Sequence, residues 1–108
     1  MYTQKDIYTI DFRDVEYYME IHPIIKHAMD FPDYYGCNLD ALWDCLTDMR
    51  QMKPHIEILG LDVIERKFGD TAKKLIDVFK EFKHYNNDKY SDDILIEIVS
   101  GDVRIKVE

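Results

Sequence analysis

The chain has 108 residues, 46% hydrophobic and 13% aromatic, which is enough for one modest core and too apolar for a disordered segment. Its formal charge of −8 repels nucleic acid and anionic membranes, so neither is expected to be bound directly, and the natural partners are expected to be basic. Met1 to Ile7 lacks a positive-then-apolar leader pattern, and no apolar run approaches the ~18 residues of a membrane helix, so a cytoplasmic location is expected.

Ile7 to Phe12 is short and rich in β-formers and reads as a first strand. Between Asp14 and Asp30, Ile21, Ile24, Ile25 and Ala28 recur at helical spacing. Pro23 is comfortable only at a helix start, so this helix is expected over about 22–30, with Phe31-Pro32-Asp33 ending it. Asn38 suits an N-cap, and Leu39, Leu42, Trp43 and Leu46 follow at i, i+3, i+4, i+7, which predicts a second helix over 38–49. Lys53-Pro54 punctuates the chain before a second strand at 55–59. A short helix over 61–67 is expected to stop at Gly69. Asp70 reads as the N-cap of a longer helix over 71–84, with Ala72, Leu75, Ile76, Phe79 and Phe82 as its buried stripe. The polar loop Asn86-Asn87-Asp88 precedes a strand at 94–99, and Gly101-Asp102 fits a two-residue turn into a last strand at 103–107. Strands alternating with helices predict an α/β fold, a single domain over 1–108, with parallel strands and one antiparallel strand added at the C-terminus.

The standard signatures of catalysis are missing. The glycines at 36, 60, 69 and 101 are isolated, so there is no phosphate-binding loop, and neither CxxC nor HExxH occurs. The histidines at 22, 27, 55 and 84 are scattered, outside any recognisable nucleophile motif. Cys37 and Cys45, eight residues apart on one predicted helix and the loop before it, would lie roughly 12 Å apart, beyond the ~7 Å that a disulfide allows. No cofactor or metal is expected, and the chain is expected not to be an enzyme. A carboxylate enzyme using Asp40 and Asp44 is the alternative, but residues 27–49 add only His27 to that pair.

Between Lys26 and Arg50 no lysine or arginine occurs, whereas Asp30, Asp33, Asp40, Asp44 and Asp48 all do. On a helical wheel Leu39, Leu42 and Leu46 face one way with Trp43 on their edge, while Asp40, Asp44, Thr47 and Asp48 lie on roughly the opposite side. Such a face works against its own helix, since like charges at i,i+4 cost ~0.2–0.5 kcal/mol per pair. Asp40 in the first turn regains some of this from the helix dipole, and Asp48 at the far end does not. A solvated helix face in an acidic protein is the plain reading. An acidic contact strip for a basic partner, beside the aromatic pair Tyr34-Tyr35, is the functional one.

The run Pro32-Asp-Tyr-Tyr-Gly-x-Asn-Leu-Asp-Ala-Leu-Trp-Asp-Cys-Leu-Thr47 resembles the signature segment of the barstar family, intracellular inhibitors of secreted ribonucleases, and a weaker likeness extends over roughly 7–99. The resemblance implies a three-stranded parallel sheet packed by three to four helices. It also implies that the signature helix and the loop before it plug the active site of a basic extracellular-type ribonuclease or related toxin nuclease, the inhibitor being a monomer before binding. By position, Tyr34, Asn38, Asp40, Asp44 and Thr47 fall at family contacts, Trp43 at the edge of that surface, and Glu81 at a further acidic contact on the long helix. Three departures are expected to lie on the binding surface: Cys37 for an acidic residue, Asp48 for a glycine and Met49 for a tryptophan. Asp48 thereby joins the expected contacts. A barstar-fold regulatory module for another basic protein is the alternative from a different class.

Overall fold

A computed structural model describes residues 4–49, 52–85 and 94–108. In chain order it contains β1 (Tyr8–Asp11), a 3-10 turn (Tyr18–Glu20), α1 (Ile21–Met29), α2 (Leu39–Asp48), β2 (His55–Leu59), α3 (Leu61–Phe68), α4 (Thr71–Lys83), β3 (Leu95–Ser100) and β4 (Val103–Lys106). The strand order is β1-β2-β3-β4, with the first three parallel and β4 antiparallel to β3. This is the expected α/β architecture, including the Gly101-Asp102 turn, where Ser100 pairs with Val103.

Both parallel connections step the same way along the sheet, and right-handed crossovers then return to one face. The strands alternate accordingly. Tyr8, Ile10, Ile56, Ile58 and Ile96 are buried toward the helices, whereas Thr9, Glu57 and Glu97 point to the opposite, open face. The helices add Ile21, Ile25, Met29, Leu42, Leu46, Ile64, Leu75, Phe79 and Phe82 to one continuous core. Full burial of each such side chain is worth about 1.5–3 kcal/mol.

The start of the first helix differs from expectation for a local reason. The first helix begins at Ile21, because the 3-10 turn leads directly into it, and Pro23 sits within the first turn, where the N–H it lacks has no helical partner. Glu20 secures that turn by accepting the backbone N–H groups of Glu16 and Tyr17 at 2.9 and 2.7 Å, which holds its carboxyl below the usual range. Asp70 occupies the N-cap position of α4 as expected, but its backbone is helical and its side chain makes no capping bond. The expected loop at Asn86-Asn87-Asp88 lies outside the described residues.

Candidate partner-binding face

The segment from Phe31 to Asn38 is built before α2 can be presented. Asp30 ends α1 in the left-handed region (φ 56°), and the Phe31 N–H returns to the Lys26 carbonyl at 3.0 Å. Phe31 and Tyr35 are buried with ring centroids 5.1 Å apart, and the Tyr35 hydroxyl meets His22 Nδ1. Burial pushes the Tyr35 phenol up and the His22 imidazole down, which favours a neutral hydrogen-bonded pair. With Tyr35 turned inward, its neighbour Tyr34 is turned outward and is 73% exposed.

Asn38 then starts α2. Its Oδ1 accepts the Ala41 N–H at 2.7 Å and its side-chain amide reaches the Gly36 carbonyl at 3.4 Å. The side chain is thus largely occupied with holding the helix start, although the residue is exposed. The buried stripe of α2 is Leu42, Cys45 and Leu46, continued by Met49. This corrects the expected stripe of Leu39, Leu42 and Leu46. Leu39 is only half-buried, packing against the edge of the core from the first helical position while lining a surface depression, and Cys45 is fully buried where the expected stripe had omitted it.

Asp40, Asp44 and Asp48 are exposed on the outer side of α2. Among the described residues, neither the Asp40 nor the Asp44 carboxylate forms an ion pair or hydrogen bond with another side chain. Thr47 is half-buried, and its hydroxyl lies 3.0 Å from both the Trp43 and Asp44 carbonyls, to which it donates within the helix. Trp43 is half-buried at the edge of the face, with its ring 5.2 Å from that of Tyr85 and perpendicular to it. Glu81 is exposed on α4, and Tyr85, two residues beyond the end of that helix, makes the contact to Trp43.

The depression beside the start of α2, about 310 Å³, is lined by Tyr18, His22, Cys37, Asn38, Leu39 and Asp40. Tyr18 and His22 could not be assigned to this place by sequence spacing, since the chain brings them there only through the packing of α1. Among the described residues no group of three or more His, Cys, Asp or Glu side chains is arranged to hold a metal ion. The arrangement instead offers two unneutralised carboxylates on a rigid helix, with aromatic rings at its margins.

Residues 6–97 match the family model described as Barstar (barnase inhibitor). The chain belongs to the barstar family. A Bacillus subtilis (strain 168) protein named "Putative ribonuclease inhibitor YrdF" is 36% identical over 88 residues, covering 82% of this chain and 94% of that protein. Strand β4 lies beyond the residues that the barstar model matches.

Of the three expected departures from the barstar pattern, one is corrected by the structure. Met49 is fully buried and takes no part in the surface, because it extends the Leu42–Cys45–Leu46 stripe by one turn into the core. Cys37 is exposed at φ 55° and Cys45 is buried, and the two form no disulfide. Asp48 is the last residue of α2 and exposed. No helix among the described residues is long and apolar enough to cross a membrane.

Proposed function

We propose that this protein binds a basic ribonuclease or related toxin nuclease in the cytoplasm and blocks its active site, acting as a monomeric single domain and without catalysis. The observation that carries this reading is the pair Asp40 and Asp44, exposed one turn apart on α2 and without a cation of the same chain among the described residues. A nuclease must hold a phosphodiester anion with arginine, lysine or histidine side chains, and carboxylates on a rigid helix satisfy those cations in place of phosphate. Family membership and the name of the Bacillus subtilis relative support the ribonuclease as partner class. Asp44 is the central contact in this reading and Asp40 its neighbour. Tyr34, Trp43, Thr47, Asp48 and Glu81 surround them, and Asn38 positions the helix.

The test is stoichiometric inhibition of barnase by the wild-type chain and its Asp44→Ala variant, with thermal melts of both. Removing one partner of a buried interfacial charge pair costs about 2–5 kcal/mol or more, a range to which complexes of this family themselves contribute. The fold should be unaffected or slightly more stable, because the Asp40/Asp44 repulsion is relieved. Wild-type affinity in Asp44→Ala, or unfolding in place of lost affinity, rules out the plug.

A further inference from the structure

Tyr17, Tyr18 and Met19 are three consecutive large side chains that are 65%, 59% and 81% exposed. A soluble domain does not normally leave such a run in water, because it costs solubility and contributes nothing to the core. The segment is also tied to its neighbours. Glu20 ties down the backbone N–H groups of Glu16 and Tyr17, and the Tyr18 ring stands edge-on to Phe68 of α3 at 5.7 Å.

Its position gives it a purpose. Tyr18 and Asp40 are walls of the same 310 Å³ depression, together with Cys37, Asn38 and His22. A protein surface seated over Asp40 and this depression meets Tyr18 on its other wall, whereas Met19 lines a separate depression with Thr9, Asp11 and Pro23. Specific interfaces engage about 20–30 residues a side, more than the acidic strip of α2 supplies, so its neighbours must be recruited. Tyrosine and methionine are enriched at interface centres, and a pre-ordered ring loses little entropy on binding.

We propose that Tyr18 is the centre of a second contact patch for the same basic ribonuclease, packing on the rim of its active site while α2 engages the cations within. The inference rests on the reading of α2 as the inhibitory face. It predicts a division of labour: carboxylates set the encounter rate, and the aromatic shoulder sets the lifetime of the complex.

Barnase is the probe, with Tyr18→Ala, Tyr18→Phe and Met19→Ser compared with Asp44→Ala and wild type by stopped-flow and surface binding kinetics. Tyr18→Ala should dissociate about tenfold faster, as loss of an interface anchor does, with the salt dependence of association unchanged, and Met19→Ser, on the separate depression, should dissociate as wild type. Tyr18→Phe should bind as wild type, since the ring and not the hydroxyl makes the contact. Amide hydrogen exchange of the wild-type complex should show protection at 16–20 in addition to 34–48, a readout that holds even if Tyr18→Ala loosens its packing on Phe68. If Asp44→Ala weakens binding while Tyr18→Ala binds as wild type and 16–20 gains no protection, the second patch is wrong and the α2 reading stands. If the wild-type chain does not bind barnase, both are overturned.

Discussion

Gly60 turns the chain from β2 into α3 at φ 78°, and a Cβ built there would lie 2.5 Å from the Arg13 backbone nitrogen and 2.7 Å from the Phe12 carbonyl carbon. Backbone cannot retreat as a flexible side chain can, so Gly60→Ala combines a disfavoured dihedral with a clash against the end of β1. A loss of at least about 2 kcal/mol is expected, read as a lowered urea midpoint. Asn38→Ala tests a different residue-scale claim. It removes the acceptor of the Ala41 N–H and should cost about 1 kcal/mol of stability while also weakening nuclease binding, because the start of α2 frays. Asn38→Asp keeps an acceptor at the cap and should restore stability. Affinity that stayed at the wild-type level in a destabilised Asn38→Ala would separate the cap from the contact face.

At the scale of elements, β4 has a definable structural task. Glu57 of β2 and Glu97 of β3 are register partners with side chains only 15% and 17% exposed, a like-charge pair on neighbouring strands. Arg104 of β4 reaches both carboxylates at 3.1 Å, while His55 meets Glu97 and Thr9 donates to Glu57, each at 2.7 Å. The His55 hydrogen bond foremost, and then the charge of Arg104, hold the Glu97 carboxyl below its ordinary range. Arg104→Ala should therefore cost about 1–2 kcal/mol at pH 7, the sum of two partly exposed ion pairs and the repulsion left behind. A carboxyl depressed in the fold stabilises fully above its unfolded value near 4.5, and that contribution is lost as pH falls through the lower folded value. The gap between Arg104→Ala and wild type should shrink over the same acidic window in denaturant titrations. An equal gap at pH 7 and pH 3 would show that Arg104 acts by packing alone.

For the whole molecule, the formal charge of −8 and the unneutralised Asp40 and Asp44 lead to the expectation that the proposed binding to a basic nuclease is an electrostatically steered encounter. Long-range attraction is screened over ~10 Å at 0.1 M salt, so raising ionic strength should slow association of the wild-type chain steeply and change dissociation little. Stopped-flow association with barnase from low to high salt reads this directly, and a flat salt dependence would contradict steering by the acidic face.

The order of strands and helices was legible in the sequence because each element carries its own period. Ile56 and Ile58 alternate as a half-buried strand must, and Leu42 and Leu46 recur as a buried helix face must. The Asn38 cap and the Gly101-Asp102 turn are local chemistry, decided within a few residues. The lysine-free run of aspartates and the barstar-like segment were likewise visible without coordinates. What spacing could not decide was the rotation of α2 about its axis, because several stripes of that helix are apolar enough to be core. Packing against the sheet and α4 chose Cys45 and Met49 over Leu39, and so removed Met49 from the expected surface. Nor could spacing bring Tyr18 to the depression beside Asp40, or Arg104 across β3 to Glu57, since those neighbours are distant in sequence and meet only when the sheet and its crossovers close. Local pattern determined the elements and the acidic strip. Tertiary packing decided which side chains stand around that strip, because burial is a property of the faces that meet and not of the segment that carries them.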